Sequence, residues 1–461
     1  MKALRDPQNL LDTGLAAIRE QFRVPSAFPP EVGAAAAAAA TRLPTAHADW
    51  TDRPFVTLDP LASTDLDQAF AFEAAGSDIL LHYAIADVPW FVDDGDPVDA
   101  EAWVRGTTTY LPDGKAGLYP ASLSEAAASL LPDGPRPAIV LHVRIARDGA
   151  VKLDGATRAV IRSRAKLGYE TASPADLPPL FAEAAARIDA AEDRRGAQRV
   201  DPPEQEVTRD EDGRLALRFR PYAPVETQNA ALSLAANLAV ADAMLAAGTG
   251  LFRVMAPPQP QAEPRLRSTA RALRLSWPQA MPLAQFERRL DPRDPRAAAF
   301  MMAIRRATEG ASYEAFQPGE MPWHAAVAAT YAHTTAPLRR LADRHVLRAI
   351  LAITAGQAVP AAVNDAFARL PKVMAKAGSR DGQIDRAVID LAEAALLVNS
   401  EGESFDAVVT DIGKDDVRIQ LCDLPVVARL GIDHLLPGAD VRVKLTLADP
   451  AQRRLKFERV S

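Results

Sequence analysis

The chain has 461 residues, 48% of them apolar and 25% charged, and carries a net charge of −7. That length can bury a large core and predicts more than one domain. A single cysteine, Cys422, excludes an internal disulfide framework and a cysteine-based zinc site; the acidic balance argues against a protein that coats nucleic acid indiscriminately, but not against a local basic channel.

The opening segment, MKALRDPQNLLDTGLAAIREQ, is charged and amphipathic, without the continuous apolar core of a signal peptide. The longest alanine run, GAAAAAAATRL, is too short and too weakly apolar to span a bilayer. A cytoplasmic protein without a membrane partner is expected. Within residues 1–50, Leu10, Leu11, Leu15, Ile18 and Phe22 recur at helical spacing, and a second helix follows in SAFPPEVGAAAAAAATRL. Together they predict a helical hairpin or a small helical domain.

From residue 54 the pattern changes to short β-rich runs bounded by turn signals: RPFVTLD, ILLHYAIADV and PAIVLHVRIA. Helical stretches then follow at 178–193, 226–247, 264–275, 284–307, 322–355 and 361–399. Strands first and helices later predict an α+β domain over residues 51–400. The tail, 401–461, reads as five short strands in succession from Phe405 onward, the strand count of an OB-fold barrel. From Asp440 to the end it carries six Lys or Arg against three acids, opposite in sign to the whole chain. A solvated barrel face would explain that excess, but the strand count and the neighbouring domain favour contact with nucleic acid.

The stretch TLDPLASTDLDQAF places Asp59, Asp65 and Asp67 within nine positions. Three neighbouring carboxylates repel one another unless a cation neutralises them, and hard divalent ions such as Mg²⁺ suit such oxygens. The spacing lacks the central glycine and distant glutamate of an EF-hand. A metal site and a plain solvated turn both stay open on this segment alone. A second segment, YAHTTAPLRRLADRHVLRAILAI, predicts a helix with Pro337 at its first position, a threonine before it as cap, and a buried face of Ala342, Val346, Ala349, Ile350 and Ile353. Arg340, Arg344 and Arg348 then form a stripe on another face, and Arg339 falls in the first turn, suited to clamp a phosphate. The alternative is a surface pair between Arg339 and Asp343.

Read together, FVTLDPLASTDLDQAF, YAIADVPWFVDDGDPVDAEAWVRGTTTYLPD, RRGAQRVDPPE and HTTAPLRRLADRHVLRAI resemble, in order, motifs of the ribonuclease II/R (RNB) family, over about residues 52–400. The tail is similar to that family's C-terminal OB-type RNA-binding domain. The resemblance implies an RNB-type catalytic domain with a five-stranded OB-fold barrel after it and a short helical region before it, where such enzymes usually carry cold-shock domains. It implies a processive, Mg²⁺-dependent 3′→5′ exoribonuclease that releases nucleoside 5′-monophosphates from single-stranded RNA; Mn²⁺ as a substitute ion and a monomeric protein are further expectations. By position, Asp59, Asp65 and Asp67 match the first three acidic residues of the family, and Gln68 stands where a fourth aspartate is expected. Asp59, Asp65, Asp67 and Gln68 are thus the expected metal-site residues, with Asp67 also holding or deprotonating the attacking water. Arg339 matches the arginine that contacts the scissile phosphate, and Tyr110 the tyrosine that stacks on the 3′-terminal base. Tyr169, Arg340, Lys444 and Arg453 are the further expected RNA contacts. The sequence departs from the pattern at Val200, where a phenylalanine is expected, at Ala230 and Ala231, which replace a glutamate pair, and at Met255, which replaces a histidine. A catalytically degenerate RNA-binding relative is the alternative reading. A metal-dependent phosphatase or nuclease of another kind would leave the ordered motifs unexplained.

Overall fold

Leu58, Phe70, Leu81, Tyr83, Leu141 and Val143 are each at most 2% exposed, and a sheet closing on itself is what buries them. Five strands form this barrel: β1 (Ala48–Asp59), β2 (Gln68–Ala75), β3 (Asp78–Ala86), β4 (Arg136–Ile145) and β5 (Val151–Gly168). β1 runs antiparallel to β2 and parallel to β5, so the first and last strands seal the barrel. The two-residue turn between β2 and β3 needs a left-handed residue and has Gly76 there, at φ +66°. The computed structural model describes residues 10–197, 204–209, 215–220, 223–259, 261–291, 294–308, 310–412, 416–431 and 435–460. Val200 lies outside them.

The three predicted strands correspond to β1, β3 and β4, while β2 and β5 were not anticipated. β5 reads as charged because Lys152, Arg158, Arg162, Arg164 and Lys166 share it with its apolar residues. A strand with one solvated face hides its apolar half in this way.

The helices α1 (Leu10–Gln21) and α2 (Pro30–Ala40) form where expected, but they do not build a core of their own. Leu11, Leu15 and Ile18 of α1 pack with Ile384, Val388 and Leu391 of a distant helix, whereas Val32, Ala36 and Ala39 of α2 join the barrel core. Behind the barrel lie α3 (Phe181–Arg195) and α4 (Pro224–Ala246). By length and composition α4 could cross a bilayer; here 67% of its most apolar window is buried, as a core helix. The helix expected over 284–307 is broken into Leu283–Glu287 and α5 (Pro295–Ala307). Pro295 starts the second piece and the Asp294 carboxylate caps it, accepting from the Arg296 N–H at 3.0 Å. The last helices are α6 (Leu341–Thr354) and the 37-residue α7 (Ala361–Leu397).

The tail forms the five expected strands, β6 (Ser404–Ile412), β7 (Val417–Leu421), β8 (Val427–Leu430), β9 (Asp440–Asp449) and β10 (Arg454–Arg459). Their order is β8-β7-β6-β9-β10, with the edge strands β8 and β10 meeting to leave a nearly closed barrel. Val409, Ile419, Leu421, Val443 and Leu445 fill its core.

Glu393 of α7 ties this barrel to the rest: its Oε1 accepts from the Val427 N–H at 2.8 Å and from Gln205 Nε2 at 2.7 Å. Burial pushes this carboxyl up to about 8, against the lowering effect of those two donors. The folded state therefore holds a proton there that the unfolded chain releases at a lower pH, so stability should fall as pH rises from about 4.5 to about 8. Glu393→Gln keeps an acceptor for both donors and removes the titration. Its stability should match the wild type near pH 4 and exceed it at pH 8, by an amount on the order of 1 kcal/mol or more, with a higher melting temperature there. Parallel thermal melts at both pH values check this; an identical pH dependence in the two proteins would mean that Glu393 ionises freely.

Candidate active site

β1 delivers Asp59 at its last position, a loop carries Asp65 and Asp67, and Gln68 opens β2. The loop is pinned at both flanks of Leu66. The Leu66 N–H donates to Ser129 Oγ at 2.9 Å, and the Ala86 N–H donates to the Asp67 carbonyl at 2.9 Å. The Asp67 side chain is 4% exposed. Its Oδ1 accepts from the Leu338 backbone N–H at 2.7 Å and its Oδ2 from Arg339 Nε at 3.3 Å. Two sequence segments some 270 residues apart thus meet at one carboxylate.

Asp65 is held from the other side. A small hairpin of Thr109–Leu111 and Gly114–Ala116 places Tyr110 directly opposite Lys115, so both project from one face. The Tyr110 hydroxyl donates to Asp65 Oδ2 at 2.9 Å and Lys115 Nζ lies 2.8 Å from Oδ1. Lys115 also reaches Glu125 at 3.3 Å, and Glu125 accepts from the Thr64 hydroxyl at 2.9 Å. Lys115 and Glu125 were not anticipated. A signal existed for the first: Tyr110 and Lys115 flank the turn sequence LPDG, which makes them cross-strand partners. Tyr110 keeps 48% of its surface exposed, so its ring is open to a planar partner.

Gln68 does not take the place of a fourth metal-site carboxylate. Its Oε1 accepts hydrogen bonds from the Tyr83 hydroxyl and from Ser233 Oγ, the latter at 2.8 Å, and those two hydroxyls are themselves 2.7 Å apart. Successive side chains of a strand point to opposite faces, so Gln68 turns toward β3 and α4 while Asp67 turns toward Arg339. An aspartate at 68 would set a buried charge between two hydroxyls. Tyr169 is tethered rather than free: its hydroxyl accepts from Asn229 Nδ2 at 3.0 Å and its N–H donates to the Asp59 carbonyl at 3.1 Å. Ala231, in place of a glutamate, is fully buried in α4, where a lone carboxylate would be costly.

The segment expected to be helical from Pro337 is a loop. α6 starts only at Leu341, with Arg340 extended at φ −132°, ψ 121° as the preceding residue and without a side-chain cap. The chain makes one turn, with the Arg340 N–H on the Ala336 carbonyl at 2.9 Å and the free donors capped, the Ala336 N–H by Asp343 at 2.8 Å and the Leu338 N–H by Asp67; pairing of Arg340 with Thr107 then stretches it and stops the helix. Backbone bonds from Thr108 N–H to the Arg339 carbonyl and from Leu341 N–H to the Gly106 carbonyl, both at 3.0 Å, hold the loop beside the base of the hairpin. The residues upstream form short strands, Trp323–His324 and Ala329–Thr330. The arginine stripe is also corrected. Arg340 pairs with Asp343 at 2.7 Å, Arg344 is fully buried against Asp99, and Arg348 pairs with Asp94 at 2.5 Å. Arg340 is therefore committed inside the protein rather than presented to RNA. Arg339, its side chain 44% exposed, pairs with Asp67 and not with Asp343.

Burial pushes the Asp59 carboxyl up to about 6; Arg339 and Lys166 oppose the rise and Asp65 adds to it. Burial pushes Asp67 up to about 7, against Arg339 and the Leu338 N–H. Both carboxylates lack enough positive charge around them, and their oxygens are the donors that a hard divalent ion prefers. In that respect the residues fit a metal. Among the described residues no three Asp, Glu, His or Cys side chains already converge as ligands; Asp65 would have to exchange Lys115 or Tyr110 for the ion.

From Tyr110 a cleft of about 670 Å³ leads away between α7, α5 and the C-terminal barrel, with Arg305, Arg306, Arg386 and Arg418 on its walls among the acids Glu206, Asp385, Asp390 and Glu393. Arg386 and Arg418 also line an adjoining cavity of about 420 Å³ with Arg429, Arg453 and Arg454. Burial and the guanidiniums of Arg306, Arg386 and Arg429 push Arg418 down, against the raising effect of Asp411, and in the adjoining cavity the five arginines outnumber Asp390 and Glu393. Arg453 therefore belongs to this basic region, although it also donates to Gln21 Oε1 of α1 at 2.5 Å. Lys444 does not: it is exposed on β9 opposite Glu458 and lines neither cavity. Arg386 and Arg418 escaped the sequence reading because each sits in an ordinary amphipathic element, and only docking of the two domains brings them together.

Comparison with known proteins agrees with this arrangement. Residues 403–460 match the RNase II-type exonuclease C-terminal S1 domain. Ribonuclease R of Thermotoga maritima is 26% identical over 457 residues, covering 91% of this chain and 62% of the relative. Exoribonuclease 2 of Cronobacter sakazakii is 27% identical over 411 residues, covering 82% of this chain and 62% of the relative. The chain thus spans about three fifths of the length of these relatives. In fold it is similar to Mycoplasma genitalium RNase R solved with ribose-methylated single-stranded RNA, at a TM-score of 0.85 and 20% identity over 99% of this chain and 79% of that one. It is also similar to the yeast pseudonuclease Ssd1, at a TM-score of 0.68 and 15% identity over 95% of this chain and 57% of that one. The closed barrel, the loop of aspartates and the arginine that meets them fall within residues 47–356, which match the RNB domain, and the chain belongs to that family.

Proposed function

We propose that this protein is a processive 3′→5′ exoribonuclease that hydrolyses single-stranded RNA to nucleoside 5′-monophosphates with Mg²⁺ as its ion. One observation carries the reading: the buried Asp67 meets the half-exposed Arg339 beside Asp59 and Asp65, and Tyr110, which holds Asp65, also lines the cleft that carries Arg386 and Arg418. An RNA strand in the cleft brings its phosphates past Arg386 and Arg418 and its last base to the exposed ring of Tyr110. Stacking on a ring is tolerant of sequence, because every base has a π-face. Enclosure between the two domains supports processivity, since the shortened strand stays between the same walls after each cut.

Asp59, Asp65 and Asp67 would hold the metal, which when bound neutralises charge on the phosphate and lowers the pKa of a water. The protein's own part is positional and electrostatic. Asp67 is fixed by the Leu338 N–H, so its second oxygen is aimed rather than mobile, and it orients the attacking water and takes its proton. Arg339 faces the phosphoryl oxygens as their charge grows. Tyr110 keeps the terminal nucleotide from sliding past these groups.

Incubation with 5′-labelled single-stranded RNA and Mg²⁺ tests the proposal: full-length RNA should give way directly to one short end product without a ladder of intermediates, with mononucleotides released. A second reading, an RNA-binding relative without catalysis, is favoured by Ala230 and Ala231 in place of a glutamate pair; binding of the labelled RNA without any shortening would establish it. Tyr110→Ala should alter the end product more than the rate on long RNA. Stacking is worth about 1–3 kcal/mol per base, and its share of the total grip grows as the strand shortens. End products from the two enzymes on a sequencing gel should differ by at least about one nucleotide. Identical products would remove Tyr110 from the clamp.

A further inference from the structure

The Tyr110 hairpin has two faces with different tasks. One face, Tyr110 and Lys115, takes both oxygens of Asp65. The other rests on α1: Leu111 and Ala116 pack into the cluster made by Leu11, Leu15 and Ile18 of α1 and by Ile384 and Val388 of α7. At the turn, Asp113 accepts from both Nε and Nη2 of Arg19, each at 2.8 Å. At the root, the Thr107 and Thr109 hydroxyls donate to Asp381 of α7 at 2.6 and 2.8 Å. α1 is itself seated closely: a Cβ on Gly14 would come within 2.5 Å of the Leu391 side chain on α7, so glycine there permits the approach.

We propose that α1, acting through Arg19, is the element that sets the Tyr110–Lys115 hairpin against Asp65, and thereby determines how short an RNA 3′ end the site can hold. The proposal rests on the exoribonuclease reading for its consequence, but not for its mechanics. Two strands of three residues do not hold a position by themselves, so what they lean on decides where they point. The root is fixed by Asp381, which leaves the turn as the free end, and Arg19 closes that end. The pair is bidentate, with only 25% and 27% of the two side chains exposed, the geometry in which an arginine–carboxylate pair fixes orientation instead of fluctuating in solvent. Because Tyr110 and Lys115 are directly paired across the hairpin, a tilt at the turn moves both together. Arg19 touches neither the reacting atoms nor Asp65; it is a positioning residue.

The test uses the full chain, with Arg19→Glu and the charge swap Arg19→Glu/Asp113→Lys. In Arg19→Glu, amide hydrogen exchange across residues 109–116 should speed up by about tenfold, and in the swap it should return toward the wild type. The KM for a five-nucleotide RNA should rise at least about fivefold, while kcat on long RNA stays within about twofold. The end product should lengthen by at least about one nucleotide, and the swap should restore both readouts. A general loss of folding would lower kcat on long RNA as well and would not be rescued by the swap. Unchanged exchange in Arg19→Glu would overturn the proposal, as would faster exchange with the same short-substrate KM and end product, or a swap no better than the single variant. A wild-type chain that cuts no RNA would sink the functional reading instead; the exchange comparison would still decide whether Arg19 seats the hairpin.

Discussion

Asp67→Asn should lower the rate of RNA hydrolysis at least about 10²-fold, the usual loss when a group that takes a proton in the transition state is removed, and should leave RNA affinity near that of the wild type. The substitution is close to isosteric. The amide oxygen can still accept from the Leu338 N–H, the contact that at 2.7 Å aims the side chain, so the loop keeps its place. What is lost is the charge and the capacity to take a proton. The amide nitrogen also presents a donor to Arg339 Nε, where the wild type has an acceptor at 3.3 Å. Affinity survives because the cleft that carries Arg386 and Arg418 is untouched. Single-turnover cleavage of labelled RNA, with anisotropy for binding, separates the two effects. Turnover within a few-fold of wild type would remove Asp67 from the chemistry.

Arg339→Ala should lower kcat by about 10²–10³, the range seen when one donor to developing negative charge is deleted. With 44% of its side chain exposed, Arg339 leaves no core cavity behind, so melting behaviour should change little. Two effects act in one direction. The phosphoryl oxygens lose their cation, and Asp59 and Asp67 lose the charge that does most to hold their carboxyls down against burial. Arg339→Lys should recover only part of the rate, because an ammonium is a point charge without the planar fork of a guanidinium. Full recovery by lysine would mean that only net charge matters at this position, and an unchanged kcat in the alanine variant would place the scissile phosphate elsewhere.

What was legible in the sequence was local. The aspartate loop, the strand before it, the five strands of the tail and most helices are carried by spacing and turn chemistry within a dozen residues or so. The errors share one cause, which is partners distant in the chain. Pro337 reads as a helix start, yet backbone pairing of Arg339 and Leu341 with Thr108 and Gly106 stretches Arg340 and stops the helix after one turn. Arg344 and Arg348 read as part of a solvated stripe because nothing nearby in sequence announces the buried Asp99 or the exposed Asp94 as their partners. Gln68 reads as a weakened metal ligand because it follows Asp67, but the pleat turns it to Tyr83 and Ser233.

By itself the sequence determined the kind of chemistry: three carboxylates close together, an arginine to oppose them, an α+β domain and a five-stranded tail. These depend on residue type and short spacing, and neither changes when the chain folds. Only the tertiary structure decided which arginine meets Asp67, which residues close on Asp65, and that arginines such as Arg386 and Arg418, rather than Lys444, line the cleft. Such choices require side chains far apart in the chain to share a few ångströms, and the packing of α1, α7 and the two barrels, more than any local preference, sets those distances.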